Sequence, residues 1–373
     1  MSKKTVILMI NSLEGGGAER VFASIANAYD KYSSDLDLFV LLLDESEKKY
    51  HIDPGITVLS ANANGSLTKS IVNCYDFLKE HRPDTVLSFL TRSNIANAFW
   101  SCIFGYRCII SERVSTSKHH GTSFKGQSSK LLTKLFYPLA DQVVCPSRGI
   151  ADELARVFKI KKSKLTVIFN PVDHDRIRTL AREHVDCPTS GRYILSTGRL
   201  VENKNYPLLL EAYAKSQVDH ELLILGDGPS RQQLEESVLH LGLKDKVKFL
   251  GFQSNPFPFV ANADAFISSS NAEGFPNALV EAMCLGIPVV ATNCLTGPSE
   301  ILDDEIELKL SSMRLAKYGI LTPTNDVEQL SRAIVLAVSH PHIEEFKSKS
   351  IAGSERYTAS RALTQFWETI NYG

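Results

Sequence analysis

Two glutamates stand eight positions apart in the segment Glu273-Gly274-Phe275-Pro276-Asn277-Ala278-Leu279-Val280-Glu281. Pro276 suits the first turn of a helix, so Glu273 falls in the entry loop and Glu281 about a turn and a half inside. Eight residues of helix span about 12 Å, so the two carboxylates address different parts of one long ligand. The amides of Phe275, Asn277 and Ala278 open at the helix mouth, where backbone N–H groups hold phosphate or sugar oxygens. A capped surface helix is the plain alternative. Against it, Glu281 stands among Leu279, Val280, Ala282 and Met283, and a carboxylate in apolar surroundings requires a partner.

A second segment, Gly198-Arg199-Leu200-Val201-Glu202-Asn203-Lys204-Asn205, follows the apolar run Tyr193–Thr197 and places two cations in one strand-to-helix loop. A departing diphosphate needs such charge. At an effective dielectric of about 20, a cation ~4 Å from an anionic oxygen gains ~4 kcal/mol. Expressed only in the transition state, that is roughly a thousandfold in rate. An ordinary salt-bridged loop is the alternative. Gly226-Asp227-Gly228-Pro229 closes the next strand and by itself is a turn. Gly15-Gly16-Gly17-Ala18-Glu19-Arg20 follows the first apolar run and opens a helix, a place where glycine lets amides approach an anion. It is not a dinucleotide fingerprint, because Arg20 stands where the third glycine belongs, and no Gly-Lys-Ser/Thr phosphate loop occurs.

Positioning these segments requires alternating strands and helices. Strand-like runs occur at Thr5–Ile10, Leu38–Leu43, Val86–Phe89, Cys108–Ile110 and Val143–Cys145, with helical spacing between them, as at Val21, Ile25 and Ala28. The pattern pauses at Asn170-Pro171, a plausible linker start, and resumes at Tyr193–Thr197. Strands at Leu222–Leu225, Val247–Leu250, Ala265–Ser268 and Val289–Ala291 follow, with helices at Arg231–Leu241 and Ala278–Leu285. Such alternation implies an α/β fold with parallel sheets covered on both faces. Two sequential doubly wound, Rossmann-like domains are expected, with ligand in the cleft they face. A length of 373 residues agrees with two domains.

Composition is that of a globular protein, with 43% hydrophobic and 22% charged residues. A net charge of −1 excludes a nucleic-acid polycation. Charge is uneven, however. Residues 1–170 carry 22 Lys+Arg and 16 Asp+Glu, a net of +6, which leaves −7 for the remainder. The excess lies between Ile103 and Phe169, where Lys118, Lys125, Lys130, Lys134, Lys159, Lys161, Lys162 and Lys164 are among 12 basic residues facing four acidic ones. Attraction to an anionic membrane surface, or a solvated basic face, both fit. Seven scattered cysteines with no CxxC pair fit a reducing cytoplasm and no structural zinc. The N-terminal apolar run is too short for a signal sequence, and no stretch is long enough to span a membrane. The expected location is cytoplasmic, peripheral at the inner face of the cytoplasmic membrane.

Taken together, the glycine-rich N-terminal segment, the Gly-Arg…Asn-Lys loop, Gly-Asp-Gly-Pro and the Glu-x7-Glu run ending in Gly286-Ile287-Pro288-Val289-Val290 resemble the retaining glycosyltransferases of family 4. The resemblance spans essentially the whole chain. It is nearest to bacterial enzymes that extend lipid-linked or O-antigen glycans, N-acetylgalactosaminyltransferases included. It implies the GT-B fold, with an acceptor-binding domain over 1–170, a nucleotide-sugar-binding domain over 171–353, and a C-terminal helix over 354–373 (Ser354 to Asn371) crossing back to the first domain. It implies a UDP-sugar donor, a polyprenyl-diphosphate-linked glycan acceptor, transfer of a hexose or N-acetylhexosamine, and no metal cofactor.

By the same resemblance, Arg199 and Lys204 bind the donor diphosphate and stabilise its departure. Glu281 takes the ribose hydroxyls and Glu273 the donor-sugar hydroxyls near the anomeric carbon. Backbone from Phe275 through Pro276 and Asn277 to Ala278 clasps sugar and phosphate, Gly16 and Gly17 close the phosphate side, and Gly251 and Phe252 meet the base. Retention is then a same-face substitution in which the leaving phosphate helps take the acceptor proton. Many family members carry a histidine just after the strand occupied here by Cys108–Ile110. This chain has Ser111-Glu112-Arg113 instead, and Glu112 or Arg113 is expected to orient the acceptor. His119 and His120 fall in an expected loop, Ser115 to Gly126. The strings Asp35-Leu36-Asp37 and Asp173-His174-Asp175 are taken as turns rather than metal sites. A non-hydrolysing sugar-nucleotide epimerase is the main alternative. A nicotinamide dehydrogenase lacks its glycine fingerprint, and a binding module has no need of both cations and both glutamates.

Overall fold

A computed structural model of the chain describes residues 3–33, 35–47, 49–113, 124–189, 191–306, 308–339 and 343–372. It divides into two compact units, Met1–Pro171 with Ala359–Gly373, and Val172–Thr358.

The first unit is built on β1 (Lys4–Ile10), β2 (Leu36–Leu42), β3 (Thr57–Ser60), β4 (Thr85–Phe89), β5 (Arg107–Ser111), β6 (Gln142–Cys145) and β7 (Leu165–Val167). They form one parallel sheet in the order β3-β2-β1-β4-β5-β6-β7, a doubly wound arrangement. Val6, Leu8 and Ile10 of β1 join the core on one face of the sheet, and Ile7 and Met9 join the core on the other. With both faces covered, β1 is a continuous apolar run rather than an alternating one. The edge strands β3 and β7 are short and only partly buried, so hydrophobic pattern does not announce them.

The helix Ala359–Asn371 packs on the face that holds Val6, Leu8 and Ile10. Phe366, Trp367 and Ile370 are buried there. The Trp367 indole Nε1 donates to the Ile25 carbonyl at 3.2 Å, and the Phe366 and Phe89 ring centroids lie 6.2 Å apart. The expected single helix from Ser354 is broken. A preceding helix, Ile343–Ser354, ends there, a 3-10 turn covers Glu355–Tyr357, and Thr358 is extended. The cause is a parallel bridge between Val172 and Thr358, with the Val172 amide donating to the Tyr357 carbonyl at 3.0 Å. Such pairing takes Thr358 out of the helical region.

The second unit contains β8 (Tyr193–Thr197), β9 (Glu221–Leu225), β10 (Val247–Gly251), β11 (Ala265–Ser268), β12 (Val289–Thr292), β13 (Arg314–Leu315) and β14 (Ile320–Thr322). Their order is β10-β9-β8-β11-β12-β14-β13, all parallel except β13 against β14. The stretch expected as a linker holds the helix His174–Leu180, whose sole buried side chain is Ile177. One buried residue leaves no periodicity to detect. Asp173 is its N-cap and accepts the Arg176 amide at 3.0 Å, which gives the second Asp-x-Asp string a capping role. Of the first string, Leu36 and Asp37 lie in β2, with Asp37 exposed. Lys118, His119 and His120 lie outside the described residues. So does most of the expected loop, and a helix, Phe124–Phe136, begins within its range.

Candidate functional site

In the second sheet β8 and β11 are neighbours, and the connections from them run to opposite sides of the strand order. Ligands bind outside the carboxyl ends of strands at such a switch point. Lys204 follows β8 and Glu273 follows β11, and here they meet. The Lys204 ammonium lies 2.5 Å from Glu273 Oε1, although 69 residues separate the two in sequence. Ser270 Oγ donates to the same carboxylate oxygen at 2.7 Å. The side chains are 26% and 10% exposed, respectively, so the pair is largely withdrawn from water yet reachable. Its charges attract each other strongly in that setting, and loss of either leaves the other poorly solvated.

The loop carrying the two cations is held from several sides. Asn203 Nδ2 donates to the Ala272 carbonyl at 3.2 Å, and the Asn271 amide donates to the Asn203 carbonyl at 2.8 Å. Asn205 Nδ2 reaches Asn271 Oδ1 at 3.2 Å, and Ser269 Oγ donates to the Lys204 carbonyl at 2.9 Å. From below, Gly226-Asp227-Gly228 supports Gly198–Leu200. The Gly198 amide donates to Leu225, and the Leu200 amide to Asp227, each at 3.0 Å. A Cβ on Gly226 would fall 2.0 Å from the Gly198 carbonyl oxygen, and one on Gly228 would fall 2.4 Å from that of Leu200. These glycines therefore permit backbone to pass against backbone. The Gly226 amide also donates to the Gly251 carbonyl at 2.7 Å, which ties the loop to the end of β10.

Glu273 is supported from β12. Thr292 Oγ1 donates to the Ser270 carbonyl at 2.6 Å, and Thr296 Oγ1 donates to the Glu273 carbonyl. Gly297, with φ +95°, leaves no room for a side chain, since a Cβ would meet Pro276 Cδ at 2.8 Å. Ser270, Thr292, Thr296 and Gly297 are absent from the motifs picked out above. The only local signal is the polar run Ser268-Ser269-Ser270-Asn271 just before Glu273.

The helix expected after Pro276 runs over Asn277–Cys284, with Pro276 as its N-cap. Gly274, Phe275 and Pro276 are buried, with the Phe275 ring 5.2 Å edge-on from Tyr357, whereas Asn277 and Ala278 are half-buried. Glu281 is buried among Leu279, Val280, Ala282 and Met283. Burial pushes the Cys284 thiol up to about 11, and the nearby Glu281 charge adds to that rise. Arg199 is exposed, and its guanidinium makes no hydrogen bond or ion pair with any of the described residues. Phe252, just past β10, exposes its ring. Arg199, Lys204, Gly251 and Glu273 thus all stand at or just past the carboxyl ends of β8, β10 and β11 in one sheet.

In the first unit Gly15, Gly16 and Gly17 follow β1, and Gly16 caps the helix Gly17–Ala26. The Glu19 carboxylate folds back over Gly16, where a Cβ would meet its Oε2 at 2.3 Å. A carboxylate at that helix start is favoured by the dipole. Glu112 and Arg113 are buried and engaged by the chain. Glu112 Oε2 accepts the Tyr137 hydroxyl at 2.5 Å, while Arg113 donates to Ser111 Oγ at 3.2 Å and to Asn170 Oδ1, with its guanidinium 5.0 Å over the Phe89 ring. Burial pulls the Arg113 guanidinium down to about 10. The chain itself thus occupies both side chains, tying the end of β5 to Tyr137 and to Asn170. Asp44, just past β2, is where a dinucleotide enzyme places its ribose-binding acid, but here Arg92 and the Gly65 amide hold its carboxylate.

Comparison with known proteins adds the following. The Glycosyltransferase Family 4 profile matches residues 15–176, and the Glycosyl transferases group 1 profile matches residues 178–352. A Campylobacter jejuni N-acetylgalactosamine-N,N'-diacetylbacillosaminyl-diphospho-undecaprenol 4-alpha-N-acetylgalactosaminyltransferase is 30% identical over 309 residues, covering 80% of this chain and 83% of that one. Another C. jejuni protein, a GalNAc-alpha-(1->4)-GalNAc-alpha-(1->3)-diNAcBac-PP-undecaprenol alpha-1,4-N-acetyl-D-galactosaminyltransferase, is 26% identical and covers 94% of this chain and 92% of its own. Among solved structures, Anabaena HepE in complex with UDP-glucose superposes with a TM-score of 0.78 at 21% identity over 98% of both chains.

Proposed function

Because the chain belongs to glycosyltransferase family 4 and has the GT-B fold, we propose that it transfers a hexose or N-acetylhexosamine from a UDP-sugar to a polyprenyl-diphosphate-linked glycan, with retention at the anomeric carbon. The observation that carries this reading is the meeting of Lys204 and Glu273 at the switch point of the second sheet. Lys204 and Arg199 neutralise the departing diphosphate. Glu273, held by Ser270, takes donor-sugar hydroxyls, and Glu281 takes the ribose. The Phe275–Ala278 backbone supports sugar and phosphate, and Gly251 with Phe252 meets the base. With two cations in that loop, no metal ion is required for leaving-group departure. The sugar–phosphate bond breaks and the acceptor hydroxyl bonds to the same face of the anomeric carbon, its proton passing to the leaving phosphate.

The C. jejuni relatives act on undecaprenol-diphosphate glycans by their names, which supports the lipid-linked acceptor and an N-acetylhexosamine donor. The HepE complex supports UDP. A lipid-linked acceptor in turn favours work at the cytoplasmic membrane's inner face, in contact with anionic lipid. Calorimetric titration of UDP with chelator present, into wild type and Glu281→Ala, tests the donor half. Binding by wild type that is lost in the variant supports it. Absence of wild-type binding until a divalent ion is added overturns metal independence, and absence under both conditions overturns the UDP assignment.

A further inference from the structure

The helix Phe124–Phe136 has apolar residues on two faces, although a helix on a globular unit needs only one. On the inner side Thr133 is buried, and Leu132 and Phe136 pack against the core around Tyr137. On the outer side Leu131 is 59% exposed and Leu135 57%, and Leu139, in the 3-10 turn Tyr137–Leu139 that follows, is 46% exposed. Spacing of four places the helical pair on one stripe. The helix Thr91–Phe104 packs alongside and exposes Ile103 near its end. Exposed leucines one helical turn apart, continued by Leu139, mark a contact site.

Lysines border that stripe. From Gln127 to Ala140 the sequence has lysines at 130 and 134 and no Asp or Glu, and the Asp141 carboxylate that follows accepts the Cys108 amide at 2.8 Å. Lys134 is exposed between Leu131 and Leu135 in sequence and makes no ion pair with the described residues. Beyond the other end, Lys164 Nζ donates to the Pro138 carbonyl at 2.8 Å and to that of Ala140 at 2.7 Å. This anchors the turn Lys162–Lys164 beside Leu139 and brings exposed Lys161 and Lys162 to the rim.

We propose that this leucine stripe with its lysine rim is the surface by which the first unit docks on an anionic phospholipid bilayer, a proposal that rests on the lipid-linked acceptor reading above. Leucines enter the acyl boundary while lysines meet lipid phosphates, the arrangement of an interfacial helix. Charge decides for a bilayer over a second copy of the chain, because a two-fold contact would set one lysine rim against another.

The test is co-sedimentation of the full chain with vesicles of phosphatidylethanolamine and phosphatidylglycerol, and with vesicles of phosphatidylcholine alone. Wild type is compared with Leu131→Ser/Leu135→Ser and with Lys134→Glu. The expected result is wild-type binding to anionic vesicles that weakens with salt, and about a tenfold or greater loss in the leucine variant. Lys134→Glu loses less, and both variants keep their melting temperature and UDP binding. Equal binding by the leucine variant places the docking surface elsewhere while leaving the acceptor reading intact. Equal binding to phosphatidylcholine overturns the role of the lysines. No vesicle binding by wild type overturns the proposal and the membrane reading together. If wild type also runs as a dimer that the leucine variant dissolves, the stripe is a contact between copies.

Discussion

Replacing Lys204 by methionine keeps most of its volume and removes its charge. Two consequences follow from the geometry, and they separate. For stability, the variant leaves the Glu273 carboxylate with Ser270 Oγ after losing an ammonium at 2.5 Å. Removing one partner of a fully buried pair costs about 3–5 kcal/mol; with the lysine 26% exposed, water reaches the site and about 1–2 kcal/mol is expected. For turnover, in the proposed function the ammonium faces charge that grows on the leaving diphosphate. A cation about 4 Å away contributes ~4 kcal/mol at an effective dielectric of ~20, roughly a thousandfold. Glu273 offsets part of that by repelling the same phosphate, and Arg199 supplies a second cation. The expected loss is therefore between about tenfold and a thousandfold. The assay is UDP release from a panel of UDP-sugars at saturating donor, alongside thermal unfolding. Adding Glu273→Gln to the variant is expected to restore the melting temperature and not the turnover. A folded Lys204→Met enzyme with near-normal turnover would refute the leaving-group role.

Three further outcomes are expected. Gly228→Ala forces a Cβ against the Leu200 backbone, lowering the melting temperature, displacing the Arg199 loop and lowering UDP affinity by about tenfold in the folded protein; a titration showing full affinity would mean that the glycine turn does not set the loop. Trp367→Ala removes a buried indole and its bond to Ile25 at about 3–5 kcal/mol in urea unfolding, and a cost below about 1 kcal/mol would detach the C-terminal helix from the first core. For Asp44, burial raises the carboxyl pKa, yet bonds from Arg92 and Gly65 and the Arg92 charge together carry it below its usual 3.8. A depressed folded-state pKa stabilises above the unfolded value and fades as pH falls through the folded one. Asp44→Asn should therefore be less stable than wild type at neutral pH, the gap closing below pH 3.8, and a gap that persists undiminished in acid would contradict the ion-pair account.

The α/β class and the succession of strands were written in local pattern, because a strand covered on both faces must be apolar throughout, as Ile7 and Leu8 illustrate on opposite faces of β1. Glu273, Arg199 and Lys204 stood out as candidates because they lie in glycine-containing segments at strand ends, and Glu281 because it is a carboxylate within an apolar helical segment. What local pattern could not reveal was distance in space. The pairing of Lys204 with Glu273 depends on β8 lying beside β11, a sheet order set by long-range packing. Thr296 and Gly297 carry meaning only once β12 brings them against that loop. Glu112 and Arg113 looked available because charged residues usually seek water, and tertiary contacts with Tyr137, Asn170 and Phe89 buried them instead. The break at Thr358 likewise came from a partner 186 residues earlier in the chain, Val172. Sequence determined which charged groups stand at strand ends and which central, doubly covered segments form strands, since both follow from side-chain type and short-range period, while the short strands β3, β7, β13 and β14 and the helix His174–Leu180 carried no such signal. Only the tertiary structure decided which of those groups meet, because burial and sheet order are properties of the whole packed chain.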